Sequence, residues 1–270
     1  MGTAGDPDRS VELLWDGRPG LSLQAVVGAA VEVADAEGLA GLSMRKVAER
    51  LGFTTMALYR HVPGRDHLVD LMCDAVLGDP LPSAGGGWRT ALEAFVRHAW
   101  ELRKRHPWLA EVPGRHVPGP NALAHYEHAL GIVAGTGLAP AEVVAAVGLV
   151  ARFVDAEASA LVEAARAERG TGVSDEQWWG ARDALFARFD RYPTLTSLWE
   201  AGGFDQPDPF GFGLARLLDG IELLIRQRDE KRDDTCRVCG GPVVQPASGR
   251  PRAYCSRGCQ QRAYRSRRSG

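Results

Sequence analysis

The chain has 270 residues, enough for one large domain or two to three smaller ones, and its 45% hydrophobic and 24% charged content is that of an ordinary globular protein. No run reaches the eighteen or so consecutive apolar residues of a membrane span, and the opening MGTAGDPDRS lacks the basic patch and apolar stretch of a secretion signal, so the expected compartment is the cytoplasm. The net charge of −2 conceals an asymmetry: residues 231–270 hold ten Lys/Arg against two Asp, and residues 1–230 hold 22 basic against 32 acidic side chains, an acidic body with a basic tail.

Residues 1–20 read as a flexible arm. Beyond them almost every periodic segment reads as helix, with apolar residues three and four apart between short Gly/Pro breaks. The expected fold class is therefore all-α, with a small C-terminal module as the exception. The first helix spans 22–38, with Ser22 as N-cap, Gly38 just past its end and Val26, Ala30, Val33 and Ala34 facing inward. A second starts after Ser43 and stops at Gly52, a third starts after Thr54 and ends before Pro63, and a fourth covers 65–77. LGDPLPSAGGGW (77–88) is a loop or hinge. Longer helices follow at 88–105, 107–112, 120–136, 140–168, 174–190, 193–201 and 210–229, with Pro107, Pro120, Pro140 and Pro193 at starts, where a missing N–H does no harm. Residues 114–120 and 202–209 read as loops.

The informative stretch is SMRKVAERLGFTTMALYRHVPGRDHLVDLM (43–72). Two short helices meeting at a sharp angle need a residue that accepts positive φ between them, which Gly52 supplies, and a small side chain at the crossing, which Ala48 supplies. Val47, Leu51, Leu58 and Val62 form the buried faces. Thr54, Thr55, Met56, Ala57, Tyr59, Arg60 and His61 are then left on the second helix, several facing outward, as in a helix-turn-helix that enters a major groove. By spacing alone a helical hairpin without DNA fits equally well.

LGFTTMALYRHVPGRDHLV resembles the recognition helix and following segment of TetR family repressors, including the Leu-Tyr-x-His element at Leu58, Tyr59 and His61. That resemblance implies an N-terminal helix-turn-helix domain at 21–77, with Thr54, Thr55, Met56 and Ala57 at base edges or the groove wall. It sets Tyr59, His61 and Arg65 against phosphates, and Met44 and Arg45 near the groove edge; Arg60 is a further donor. Residues 21–77 nevertheless hold five Lys/Arg against seven Asp/Glu, so phosphate affinity must come from a few placed donors and helix N-termini.

Reading an operator requires a dimer. The helices at 140–168 and 210–229 are apolar nearly all round, as an element facing both a core and a partner should be, although central helices of a monomer look the same. HPWL (106–109), the Pro120 start, YPTL (192–195) and FGFGLARLLDGI (210–221) resemble the C-terminal domain of tetracycline-repressor type. This implies a helical ligand-binding and dimerisation domain at 88–229 and a repressor that binds palindromic operator DNA as a homodimer until a small-molecule effector releases it. Polar and aromatic residues on otherwise apolar faces are the pocket candidates: His98, Trp100, Trp108, His116, Asn121, His125, Phe153, Asp155 and Glu157.

The tail, TCRVCGGPVVQPASGRPRAYCSRGCQQRAYRSRR, spaces Cys236, Cys239, Cys255 and Cys259 as C-x2-C, fifteen residues, C-x3-C. In a reducing compartment such a quartet favours a metal over two disulfides, and four thiolates suit tetrahedral structural zinc, with a redox pair or an iron-bearing site as the alternative. Val238, Val243, Val244, Tyr254 and Tyr264 are too few to fold residues 235–268 unaided. The module resembles short zinc-ribbon or treble-clef appendages, which most TetR family members lack. Arg250, Arg252, Arg257, Arg262, Arg265, Arg267 and Arg268 offer guanidiniums to nucleic-acid phosphate; an adaptor that docks a protein or RNA partner is the alternative. Cys73 stands alone on an apolar face. No nucleophile elbow, phosphate-binding glycine loop, HExxH or paired-carboxylate constellation is present, so no enzyme is expected.

Overall fold

The computed structural model describes residues 21–83, 85–112, 117–205, 208–233, 235–244 and 252–268; the N-terminal arm, His116 and Arg250 lie outside these residues. Helix dominates, and the described residues contain no strand, only an isolated antiparallel bridge between Thr235 and Pro242. The described residues divide into two compact units, one drawn from the ranges 1–82, 95–128 and 153–186 and the other from 83–94, 129–152 and 187–270.

In the first unit, α1 (Leu23–Gly41) opens on Ser22, whose hydroxyl accepts from the Ala25 amide, and loses helical geometry at Gly38 before one more turn. α2 (Met44–Leu51) is capped by the Ser43 hydroxyl accepting from the Lys46 amide. Gly52 ends it at φ 71, a left-handed conformation that costs a residue with a Cβ about 1–2 kcal/mol. That turn releases the chain into α3 (Thr55–Tyr59), capped by Thr54, and then α4 (Arg65–Val76). Val26, Ala30, Val33, Val47, Ala48, Leu58, Val62, Leu68 and Met72 fuse these helices into one core, with Leu51 half-buried against it.

The core also takes in Trp108, which a 3-10 turn (Pro107–Glu111) carries to it at 1% exposure. Its indole N–H donates to Asp35 Oδ1 at 2.7 Å, and His106 Nδ1 lies 2.8 Å from the same oxygen. Asp35→Ala leaves that buried N–H unanswered, a loss of about 1–3 kcal/mol. The expected result is a lower melting temperature; an unchanged one would show that this bond contributes nothing.

Next come α5 (Trp88–Arg105), α6 (Pro120–Ala134) and α7 (Pro140–Thr171), each shared between the units. The single helix expected at 174–190 is in fact broken into α8 (Asp175–Gly180), α9 (Asp183–Phe186) and a 3-10 turn at Phe189–Arg191. Ser174 and Gln177 start it with a reciprocal capping box, but Gly180 weakens it and none of these pieces buries a residue that would hold a longer helix together.

The second unit adds α10 (Pro193–Glu200) and α11 (Pro209–Asp233). Buried here are Leu92, Val133, Val143, Val147 and Val150, with Phe210, Leu214, Leu218 and Ile221 from α11. Arg89 bridges Asp219 at 2.6 Å and Glu222 at 2.9 Å, and Arg228 reaches Glu142 at 3.0 Å. The Arg89 hydrogen bond holds the Asp219 carboxyl below its usual range, and the Arg226 hydrogen bond, with Arg89 behind it, does the same for Glu222. The last helix, α12, is Arg257–Arg268.

Candidate functional site

α2 and α3 form a helix-turn-helix. Leu58 anchors α3 at 0% exposure, while Met56 at 70% and Tyr59 at 47% project outward with Thr54, Arg60 and His61. Thr55 and Ala57 are half-buried. Met44, expected at the groove edge, is instead packed into the core as the first residue of α2. The cations around α3 are largely occupied. Arg45 pairs with Glu49, Lys46 with Glu37 and Arg50 with Glu32. Arg65 donates to the carbonyls of Leu39 at 2.7 Å and Leu42 at 3.2 Å, tying α4 to the end of α1. Arg60 makes no ion pair among the described residues.

The pocket candidates do not form one group. Trp108 belongs to the head core, and Asn121 donates to the Asp74 carbonyl at 3.0 Å. Asp155 accepts from Arg103 at 2.6 Å, and Phe153 and Glu157 are half-buried on α7. His98 on α5 and His125 on α6 do come together, with ring centroids 5.9 Å apart. Phe95 lies 5.8 Å from His125 and 5.7 Å from His128. Phe95 and His128 escaped the sequence reading, although each stands three residues from a histidine that it named, a spacing that shares a helix face.

Burial, followed by the nearness of His98, holds the His125 pKa below its ordinary 6.5; His128 and Arg103 act in the same direction and the Leu77 carbonyl opposes them. The unfolded chain therefore takes up this proton first as pH falls. Stability that His125 leaves intact above 6.5 is lost as pH drops through that value. Melting temperatures at pH 7.5 and 5.5 should show a smaller acid-induced drop in His125→Gln than in the parent; equal drops would remove His125 as the cause.

The four cysteines of the tail converge, with all four sulfurs within 4.8 Å of one another. Cys239 and Cys255 are 3.4 Å apart and Cys255 and Cys259 3.6 Å, close to the edge of about 3.8 Å in a tetrahedron of 2.3 Å zinc–sulfur bonds. The first pair rides on a knuckle in which the Cys236 amide donates to the Gly241 carbonyl, the Gly240 amide donates back to Cys236, and Gly240 takes φ 68. The second pair straddles the start of α12, with Cys255 two residues ahead of it. Backbone amides, that of Cys255 foremost, draw the Cys236 thiol down to about 6, and the Arg262 guanidinium lowers Cys259 from 3.1 Å. Cys255, hydrogen-bonded to Cys239 first and then to the other two sulfurs, is pushed up to about 12. Four crowded sulfurs cannot all ionise alone; a divalent cation would lift that restraint. Among the described residues only Val243 and Tyr254 pack around the quartet, whereas Val238, Val244 and Tyr264 are exposed. Cys73, outside this group, is buried in the head core with its pKa raised to about 11 by desolvation.

Residues 26–72 match the bacterial regulatory proteins of the tetR family, and residues 80–225 match the tetracyclin repressor-like C-terminal domain. The chain belongs to the TetR family. It is 44% identical over 240 residues to the HTH-type transcriptional repressor DrrR1 of Streptomyces coeruleorubidus, across 83% of this chain and 89% of that one. Among solved structures, apo ActR of Streptomyces coelicolor, 28% identical, superposes with a TM-score of 0.63 over 77% of this chain and 98% of its own. ActR in complex with actinorhodin gives the same TM-score over 76% and 96%. As a TetR family member the chain is a transcriptional regulator, all-helical with an N-terminal helix-turn-helix. Its cysteine quartet lies beyond both matched TetR family segments. No helix among its described residues is long and apolar enough to cross a membrane.

Proposed function

We propose that the chain is a cytoplasmic, ligand-responsive repressor that binds palindromic operator DNA as a homodimer and is released by a small-molecule effector. The observation that carries this reading is the helix-turn-helix with an exposed, N-capped α3 inside a matched tetR segment. Residues 21–77 are the DNA-binding domain, read through Thr54, Thr55, Met56, Tyr59, Arg60 and His61. Residues 88–229 bind the effector and the partner protomer. Exposed Val144, Leu149 and Leu161 on α7 and Phe212 and Leu223 on α11 offer apolar surface that a partner protomer would cover, in keeping with the dimer. Effector binding has a route to the head: Asp74 of α4 accepts from the Ala122 amide in the first turn of α6 at 2.9 Å, so a shift of α6 pulls on the helix that follows α3. The cysteine quartet of residues 235–268 holds structural zinc, and no catalytic step is assigned.

The test is selection of bound sequences from random DNA with the full-length chain and a 1–232 truncation. One palindrome enriched by both supports the repressor with an accessory zinc module. Enrichment by the full-length chain alone makes the module part of recognition. No enrichment by either overturns DNA reading, and the module's role as an adaptor for a protein or RNA partner then takes its place.

A further inference from the structure

A cleft lined wholly within the first unit, about 730 Å³ between the end of α1, the 3-10 turn and the second half of α7, is bordered mostly by charges that answer one another. Arg166 pairs with Glu111, Arg103 with Asp155 and Glu37 with Lys46, and Asp35 accepts from Trp108. Unanswered polar atoms lie elsewhere. Nε2 of His98 and Nε2 of His125 are buried with no hydrogen-bond partner, and the whole His125 residue is 8% exposed. A buried polar atom without a partner is costly, and where one persists the explanation to look for is a functional role or a bound water, ion or ligand. Two of them on facing rings, one on α5 and one on α6, is a double cost at a single place.

The chemistry of the missing partner follows from the rings. With the Leu77 carbonyl beside His125 as a backbone acceptor and Nε2 unpartnered, we assign the proton to Nδ1. Nε2 of the neutral ring is then a bare lone pair, which calls for a donor. A metal ion would also accept that lone pair, but a protein metal site takes three or four ligands. Among the described residues the only group of three or more ligating side chains is the cysteine quartet. The neighbouring surface is aromatic, with Phe95 tilted against both His125 and His128. Resting on the effector-binding reading above, we propose that His98 and His125 anchor the effector, and that the effector is a hydroxylated aromatic compound whose O–H donates to Nε2 of His125 while its ring lies toward Phe95.

The test uses the full chain and a matched pair of probes, 2-naphthol and 2-methoxynaphthalene, which share a ring system and differ in the donor. Calorimetric titration should give 2-naphthol about tenfold tighter binding. The preference should collapse in His125→Leu and shrink in His98→Leu. Should His125→Leu fail to fold, the parent labelled with ¹⁵N-histidine decides: Nε2 of His125 is unprotonated in the free chain and shifts on addition of 2-naphthol. Equal binding of the two probes, binding of neither, a preference retained in His125→Leu, or a proton on Nε2 overturns the proposal, as does an Nε2 resonance that responds to zinc instead. None of these results touches the broader effector reading, which fails only when no small molecule releases the operator.

Discussion

Cys236→Ser, purified without added metal, is expected to lose bound zinc and to open residues 235–268 to protease while the rest of the chain keeps its helical content. The size of the effect follows from how little else holds the module. Among the described residues its buried side chains are Cys236, Cys259 and Val243, with Tyr254 partly covered. At about 0.8 kcal/mol for each buried CH₂, such a core cannot offset the ordering of some thirty residues. Apparent zinc binding of about 10–16 kcal/mol in comparable small modules can. Cys236 is the informative position because it is buried at the knuckle and the surrounding amides draw its thiol down to about 6. Elemental analysis and limited proteolysis read the two consequences separately. A Cys236→Ser protein that keeps the parent's zinc content would show that the four sulfurs are not the site.

Tyr59→Ala and His61→Ala are each expected to weaken operator binding by about 1–3 kcal/mol, roughly five- to 150-fold, with dimerisation and melting temperature unchanged. Both side chains are exposed, so truncating them removes little packing. A phosphate contact carries no sequence information, and the loss should therefore be uniform across operator variants. Met56→Ala should behave differently, altering preference among sequences more than affinity for all of them. Leu58→Ala is the control for unfolding. Leu58 is fully buried, and its truncation should cost about 2–5 kcal/mol of stability, lowering the melting temperature along with DNA binding. Unchanged operator affinity in both Tyr59→Ala and His61→Ala would remove α3 as the reading element.

What the sequence made legible was set by local rules. Ser22, Ser43 and Thr54 announce helix starts, Gly52 announces the turn, and Val47, Leu58 and Val62 announce the face that is buried; each depends on residues within a turn or two of itself. The cysteine quartet was equally legible, because thiolate spacing limits what the chain can do. Contacts between distant segments were not. Nothing local says that Arg65 is spoken for by the carbonyls of Leu39 and Leu42, that Met44 turns inward, or that Trp108 belongs with Asp35. The break-up of 174–190 was hidden for the opposite reason. Its local pattern is helical enough, and what it lacks is a surface to lie against.

The ion pairs of the head bear on how such a protein finds its site in a chromosome. Non-specific attraction to duplex DNA comes mainly from counterions released as cationic side chains neutralise phosphates. Arg45, Lys46 and Arg50 are each already neutralised by a neighbouring carboxylate, so a head of this kind displaces few counterions when it meets arbitrary sequence. Such a head, taken by itself, is expected to spend little time parked on bulk genome. A modest number of molecules can then keep a single promoter occupied, with discrimination resting on the fit of α3 rather than on the pull of charge.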